Sequence, residues 1–151
     1  MSIEERLREL QIDLPEVAVA GNYLPSCRTG NLVFISGQLP KVEGKIAFRG
    51  HVGKEIDLES ARRGARACVA NLLAALKQEI GALDRVKKVV RVTGYVSSFP
   101  GFQEQHKVID AASDLLVELF GEPGRHSRVS VGVVELPLGA AVELEMIVEI
   151  K

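Results

Sequence analysis

Apolar and polar positions along this chain change their rhythm several times, and each change marks an element. Ile3, Leu7 and Leu10 fall at helical spacing with charges between them, which predicts a short amphipathic helix over 3–10 that Pro15 closes off. Val17 to Ala20 is a brief apolar run before a turn at Gly21-Asn22. Leu32-Val33-Phe34-Ile35 is β-branched and aromatic and reads as a buried strand running into Ser36-Gly37-Gln38. Residues 40–56 carry Gly44, Gly50 and Gly53 among mixed charges and read as a loop with a weak hairpin around 45–48. From Asp57 the period becomes helical: Leu58, Ala61, Ala65, Val69, Leu72, Leu76 and Ile80 form one stripe, capped by Asp57 and stopped at Gly81. A strand follows at 89–96, then a turn over 97–101 and a second helix over 102–120, which Gly121-Glu122-Pro123-Gly124 ends.

The last 25 residues predict a hairpin, with strands at 127–134 and 141–150 joined through Leu136-Pro137-Leu138-Gly139. In the second strand Val142, Leu144, Met146, Val148 and Ile150 point one way, and Glu143, Glu145, Ile147 and Glu149 the other. In the first, Val129, Val131 and Val133 form the apolar face, and Arg128, Ser130 and Gly132 point away from the helices. The whole is an α+β two-layer domain over residues 1–151, a mixed sheet with two long helices on one face. The other sheet face mixes Ile147 and Val134 with charges, which suggests sheets packed against sheets in a closed cyclic oligomer.

Composition adds a few exclusions. At 151 residues the chain builds a core without metals or disulfides, and its 46% hydrophobic and 26% charged content is that of a globular protein. Nineteen Lys and Arg against twenty Asp and Glu give a net charge of −1, which argues against nucleic acid as a partner. Aromatic residues are only 5% and tryptophan is absent, so a base-stacking platform is not expected either. No apolar run reaches the ~20 residues of a membrane span, and residues 1–7 lack the apolar stretch of a signal peptide. A cytoplasmic location is the expectation, with Cys27 and Cys68 as free thiols.

Few residues carry evident chemistry. Arg128 offers a planar donor fork suited to a carboxylate. Glu143 sits on the expected neighbouring strand, on the same side as Arg128 if the hairpin is regular, and roughly 13 Å from it at about 3.3 Å per residue. The pair then lines one cleft, or each meets a neighbouring chain. Equally, both fit an ordinary solvated or ion-paired face. His51, His106 and His126 have no metal-ligand spacing, so no metal site is expected. His106 reads as a surface residue, His126 as a loop residue near Arg128 and Cys68 as core; no phosphate-binding, dinucleotide or serine-nucleophile motif is present.

The segment from Arg128 to Pro137, continuing through Val142-Glu143-Leu144-Glu145, resembles the C-terminal signature of the Rid family of reactive-intermediate (imine/enamine) deaminases, also called the YjgF or L-PSP family. Phe34-Ile35-Ser36-Gly37-Gln38-Leu39-Pro40 resembles its N-terminal signature. The resemblance implies a chorismate-mutase-like fold, a homotrimer with clefts between subunits, and no cofactor. It implies that Arg128 binds the substrate carboxylate and that Glu143 holds or polarises the attacking water. It also implies substrate contacts at Tyr23, Ser36, Gly37, Val129 and Ser130, with His106 aligned where deaminating members carry an asparagine. Residues 41–56 look longer than in those members, and the stretches 124–127 and 137–143 look like a distinct subgroup. Three functions follow as expectations. The first is hydrolysis of 2-imino or enamine acids to 2-keto acids and ammonia. The second is non-catalytic binding of a small carboxylate such as a keto acid. The third, endoribonuclease or translation-inhibitor activity, sits poorly with the near-neutral charge.

Overall fold

A computed structural model describes all residues, 1–151. In chain order the elements are α1 (Ile3–Glu9), β1 (Ser26–Thr29), β2 (Leu32–Gln38), β3 (Lys41–Val42), β4 (Lys45–Ile46), α2 (Leu58–Ile80), β5 (Val86–Ser97), α3 (Gln105–Phe120), β6 (Ser127–Val133) and β7 (Val142–Ile150). Short 3₁₀ turns precede β5, β6 and β7. The helical stripe behaves as its spacing requires. The Asp57 carboxylate caps α2 by accepting from Ser60 N, Gly81 ends the helix, and Ala61, Ala65, Val69, Leu72 and Leu76 are fully buried. Beside it, α3 buries Ile109, Ala112, Leu116 and Leu119. A capping box between Ser2 and Glu5 starts α1, and Arg6 Nη1 donates to the carbonyls of Glu118 and Leu119 at the end of α3.

Five strands form one mixed sheet in the order β1-β2-β7-β5-β6, and α2 and α3 cover one of its faces. Every pair is antiparallel except β5 with β6. A core of 34 buried residues fills the space between sheet and helices. This is the α+β, chorismate-mutase-like architecture expected, with one correction. The last two strands are not a hairpin, because β5 lies between them. β5, α3 and β6 form a βαβ unit, and the stretch 134–141 steps across β5. The physical reason is the content of the two strands. All five inward residues of β7 are apolar and no more than 2% exposed, so β7 takes a central place. β6 alternates valine with Arg128, Ser130 and Gly132, and it takes the edge.

The faces of β6 are reversed as well. Arg128 pairs with Val92, and Val92 is buried on the helix side, so Arg128 points toward α3. Val129 and Val131 therefore stand on the open face, 38% and 39% exposed. Smaller differences have local causes. β1 is a four-residue polar edge strand without an apolar signal, and it carries Cys27 opposite Phe34. Residues 17–20 have no regular structure. The weak hairpin falls at 41–46, where Glu43 and Gly44 both have positive φ, as a two-residue hairpin turn requires. No helix is long and apolar enough to cross a membrane.

Candidate functional site

Glu143 lies on the open sheet face, half-buried, in register with Tyr95. Its neighbour is an irregular stretch of β2. Between Ile35 and Gln38 the ladder to β7 slips by one residue, so Ser36 and Gly37 form a bulge. A Cβ at residue 37 would overlap Glu143 Oε2, so only glycine lets the carboxylate lie against this backbone. Ser36 holds the preceding strap: its Oγ donates to Leu24 O at 2.6 Å and its N to Pro25 O at 2.9 Å. That strap carries Tyr23, which is 52% exposed. After the bulge, the buried Asn71 of α2 donates from Nδ2 to Leu39 O at 3.2 Å and Lys41 O at 3.1 Å, tying down the chain that leaves the site.

No group within the chain donates a hydrogen bond to the Glu143 carboxylate. Burial, and then the neighbouring Glu145, push its carboxyl above the ordinary glutamate value. Glu145 has a partner of its own in Tyr95, whose OH donates to it at 3.1 Å. A shallow cavity of about 330 Å³ continues over the open face between Cys27, Phe34, Arg91, Thr93, Glu145 and Ile147. A larger cavity, about 600 Å³, lies between α2, the β3–β4 hairpin and residues 13–18, and shares Gln38, Lys41 and Asn71 with the stretch that leaves the site.

Arg128 belongs to a second cluster. Its Nη1 donates to Asp110 Oδ1 at 2.9 Å and to Ser113 Oγ at 3.0 Å, both on α3. Its Nη2 reaches His106 O at 3.4 Å, and its Nε has no partner within the chain. His106 thus meets Arg128 through its backbone, while its ring is exposed. Two residues along β6, Ser130 Oγ is buried without a hydrogen-bond partner. Val129 lies between them on the opposite, open face.

Arg128 and Glu143 do not meet. They stand on opposite sheet faces, three residues apart along β5 and two strands apart across it. That is about 10 Å in each direction, or about 14 Å in all. The expectation that they share one side is corrected, because it depended on a hairpin that does not form. Glu143, Ser36 and Gly37 make one half-site near Tyr23. Arg128, Ser130 and the start of α3 make another. Sequence reading missed Asp110 and Ser113, although their i, i+3 spacing on α3 does place them on one helix face.

His51 forms a third cluster. Its Nδ1 lies 2.6 Å from Glu55 Oε1 and its Nε2 lies 2.9 Å from Glu135 Oε1, so the ring ties the loop before α2 to the segment before β7. Glu55, and then Glu135, raise the ring above the ordinary histidine value. A raised value means the protonated ring supports the folded loop. That support is complete below about pH 6.5 and fades as pH rises through the folded-state value. Hydrogen exchange over residues 49–56, corrected for intrinsic rates, is therefore expected to show more protection at pH 6 than at pH 8.5. In His51→Gln that difference should vanish; an unchanged difference would sink the assignment. Cys68 is buried and its thiol is pushed well up by burial, as a core cysteine should be.

Residues 4–150 match the family described as "YjgF/chorismate_mutase-like, putative endoribonuclease". The chain belongs to the YjgF family. Protein TCP17 of Trypanosoma cruzi is 40% identical over 150 residues, covering 98% of this chain and 94% of that protein. A protein of unknown function from Agrobacterium tumefaciens has the same fold with a TM-score of 0.94, at 47% identity over 99% of this chain and 92% of that one. Other relatives stand further off. The 2-iminobutanoate/2-iminopropanoate deaminase of Dermatophagoides farinae is 30% identical over 132 residues, 87% of this chain and 88% of that protein. RidA of an Antarctic Psychrobacter species matches with a TM-score of 0.63 at 26% identity, over 89% of this chain and 94% of that one. This chain is therefore closer in shape to the Agrobacterium protein than to RidA.

Proposed function

We propose that this YjgF-family protein is a hydrolytic deaminase of 2-imino and enamine acids, working in a cleft that copies of the chain build together. The observation that carries this reading is Glu143: a half-buried carboxylate with raised proton affinity, no hydrogen-bond donor of its own, and a glycine backbone against it. Such a group is suited to hold and deprotonate a water. It lies on a sheet face whose apolar residues Phe34, Val129 and Val131 remain exposed in the single chain, as a face awaiting a second copy would. Arg128 sits on the edge strand, reachable from outside. A closed ring of three copies, the number the family resemblance implies, would bring the β6 edge of one copy to the Glu143 face of the next.

The chemistry balances without a cofactor. Arg128 binds the substrate carboxylate. Water attacks the C=N carbon, its proton passes to Glu143, and the π pair moves to nitrogen, which takes up a proton. The carbinolamine then collapses: its hydroxyl proton leaves, the C–N bond breaks, and Glu143 returns its proton to the departing ammonia. The products are a 2-keto acid and ammonia. An enamine first takes a proton at carbon to become the imine. Much of the acceleration comes from positioning.

The test is imine hydrolysis. An amino-acid oxidase generates the 2-imino acid, and semicarbazide traps what remains. Wild type should lower the trapped imine, and Arg128→Ala should lose at least ~30-fold of that activity, the scale on which a charged clamp usually counts. No effect from wild type across several imine side chains would overturn the reading. One observation favours a second reading, a non-catalytic binder of small carboxylates: Asp110 already neutralises Arg128, which weakens its pull on an anion. Tight 2-oxobutanoate binding without turnover would select that reading. An endoribonuclease role has the names of the family and of some structural neighbours behind it, and the net charge of −1 speaks against it.

A further inference from the structure

Arg128 is held by more than an ion pair. His126 Nδ1 lies 2.6 Å from Gly124 O, and a carbonyl only accepts, so Nδ1 carries the ring proton. In the neutral ring Nε2 is then an acceptor. It lies 2.9 Å from Ser113 Oγ, so the Ser113 hydroxyl donates to it. That leaves a Ser113 lone pair to accept from Arg128 Nη1, and Asp110 accepts from the same nitrogen. The chain of bonds runs unbroken from the Gly124 carbonyl to the guanidinium. It occupies Nη1, leaves Nε without a partner and leaves Nη2 with a second N–H beside its 3.4 Å bond to His106 O, and Nε with Nη2 is the side-on donor pair that a carboxylate uses.

We propose that Asp110, Ser113 and His126 form a positioning relay that presents the Nε/Nη2 edge of Arg128 to a ligand carboxylate, and that the relay stands only while His126 is neutral. This rests on the reading of Arg128 as the carboxylate clamp. Protonating His126 places a second N–H on Ser113 Oγ and sets an imidazolium on the hydroxyl that Arg128 uses, so two cations share one acceptor. Burial, opposed in part by the Gly124 bond and aided by the Arg128 charge, already holds the ring below the ordinary histidine value. The other charged groups near the ring do not replace this arrangement. Asp110 is engaged by Arg128, Arg125 pairs with Glu122 in the turn before β6, and Asp114 beside Ser113 is exposed. On β5, Arg91 lies opposite Ser127 and offers no side-chain bond to His126.

Two readouts test the relay. The first needs no ligand: NMR titration of the His126 ring in wild type and in Arg128→Met. The ring should titrate below about pH 6.5 in wild type and rise toward that value when the cation is removed. An unmoved titration would overturn the relay. The second is binding of 2-oxobutanoate, ionised throughout, between pH 7.5 and pH 5. Wild-type affinity should fall about 10-fold toward acid. His126→Gln keeps an acceptor for Ser113 but cannot titrate, so its affinity, whatever its level at pH 7.5, should change less than about 2-fold with pH. Ser113→Ala should bind weakly at both pH values. A parallel acid loss in His126→Gln would overturn the pH claim. If wild type binds no 2-oxobutanoate at any pH, the clamp reading fails, and with it the presentation of Arg128 to a ligand. The titration then reports only on the bond network.

Discussion

Glu143→Gln is expected to slow imine hydrolysis by about 10²–10⁴-fold, the usual worth of a positioned general base. Binding of 2-oxobutanoate should stay within about threefold of wild type, because glutamine keeps the size and an oxygen toward the water. The reason for so large an effect is placement. The carboxylate lies against Gly37 with no donor of its own, and burial with the nearby Glu145 raises its proton affinity. A base whose folded value is raised holds its proton more readily in the tetrahedral intermediate and can return it to the leaving amine. The acid limb of the pH–rate profile should accordingly lie above the ordinary glutamate value of 4.5. Equal loss of binding and turnover in Glu143→Gln would show a structural role instead. An acid limb at or below the ordinary value would remove the burial argument.

The second large effect is on stability. Gly124→Ala should destabilise the fold by about 2–3 kcal/mol, an overpacking cost with no soft side chain to yield. A Cβ at this buried position would overlap Leu116 O and come within 2.7 Å of Leu116 C and 3.0 Å of Val117 Cα, all α3 backbone. In a chain of this length that is a fall of about 5–10 °C in Tm. The same residue supplies the carbonyl that fixes the His126 ring, so the variant should also loosen Arg128. A melting temperature unchanged within about 1 °C would mean that the turn adjusts freely.

Much of the fold was legible because the signals are local. Asp57 and Gly81 bound α2 at the positions their capping chemistry predicts, and the alternation of β7 assigned its two faces correctly. Where sequence reading failed, the cause was non-local. A strand followed by a short connection and another strand reads as a hairpin, and nothing between 127 and 150 signals that β5 separates them. The polar β1 carries no apolar pattern at all. The candidate site divides in the same way. Glu143, Gly37 and Arg128 stand within the two family signatures, whereas nothing in the sequence distinguishes Asp110 and Ser113 from ordinary polar positions on a helix.

The sequence by itself determined the helices and their caps, the pattern of β7, the near-neutral charge and the family signatures at 34–40 and 128–145. Each depends on chemistry within a few residues, or on composition. The tertiary structure alone decided that β6 sits on the edge, that Arg128 turns toward α3, and that Gly37 admits the Glu143 carboxylate. Period-two alternation says that two sets of side chains oppose each other. Which set meets the helices is decided by strand order and register, and those come from packing between segments far apart in the chain.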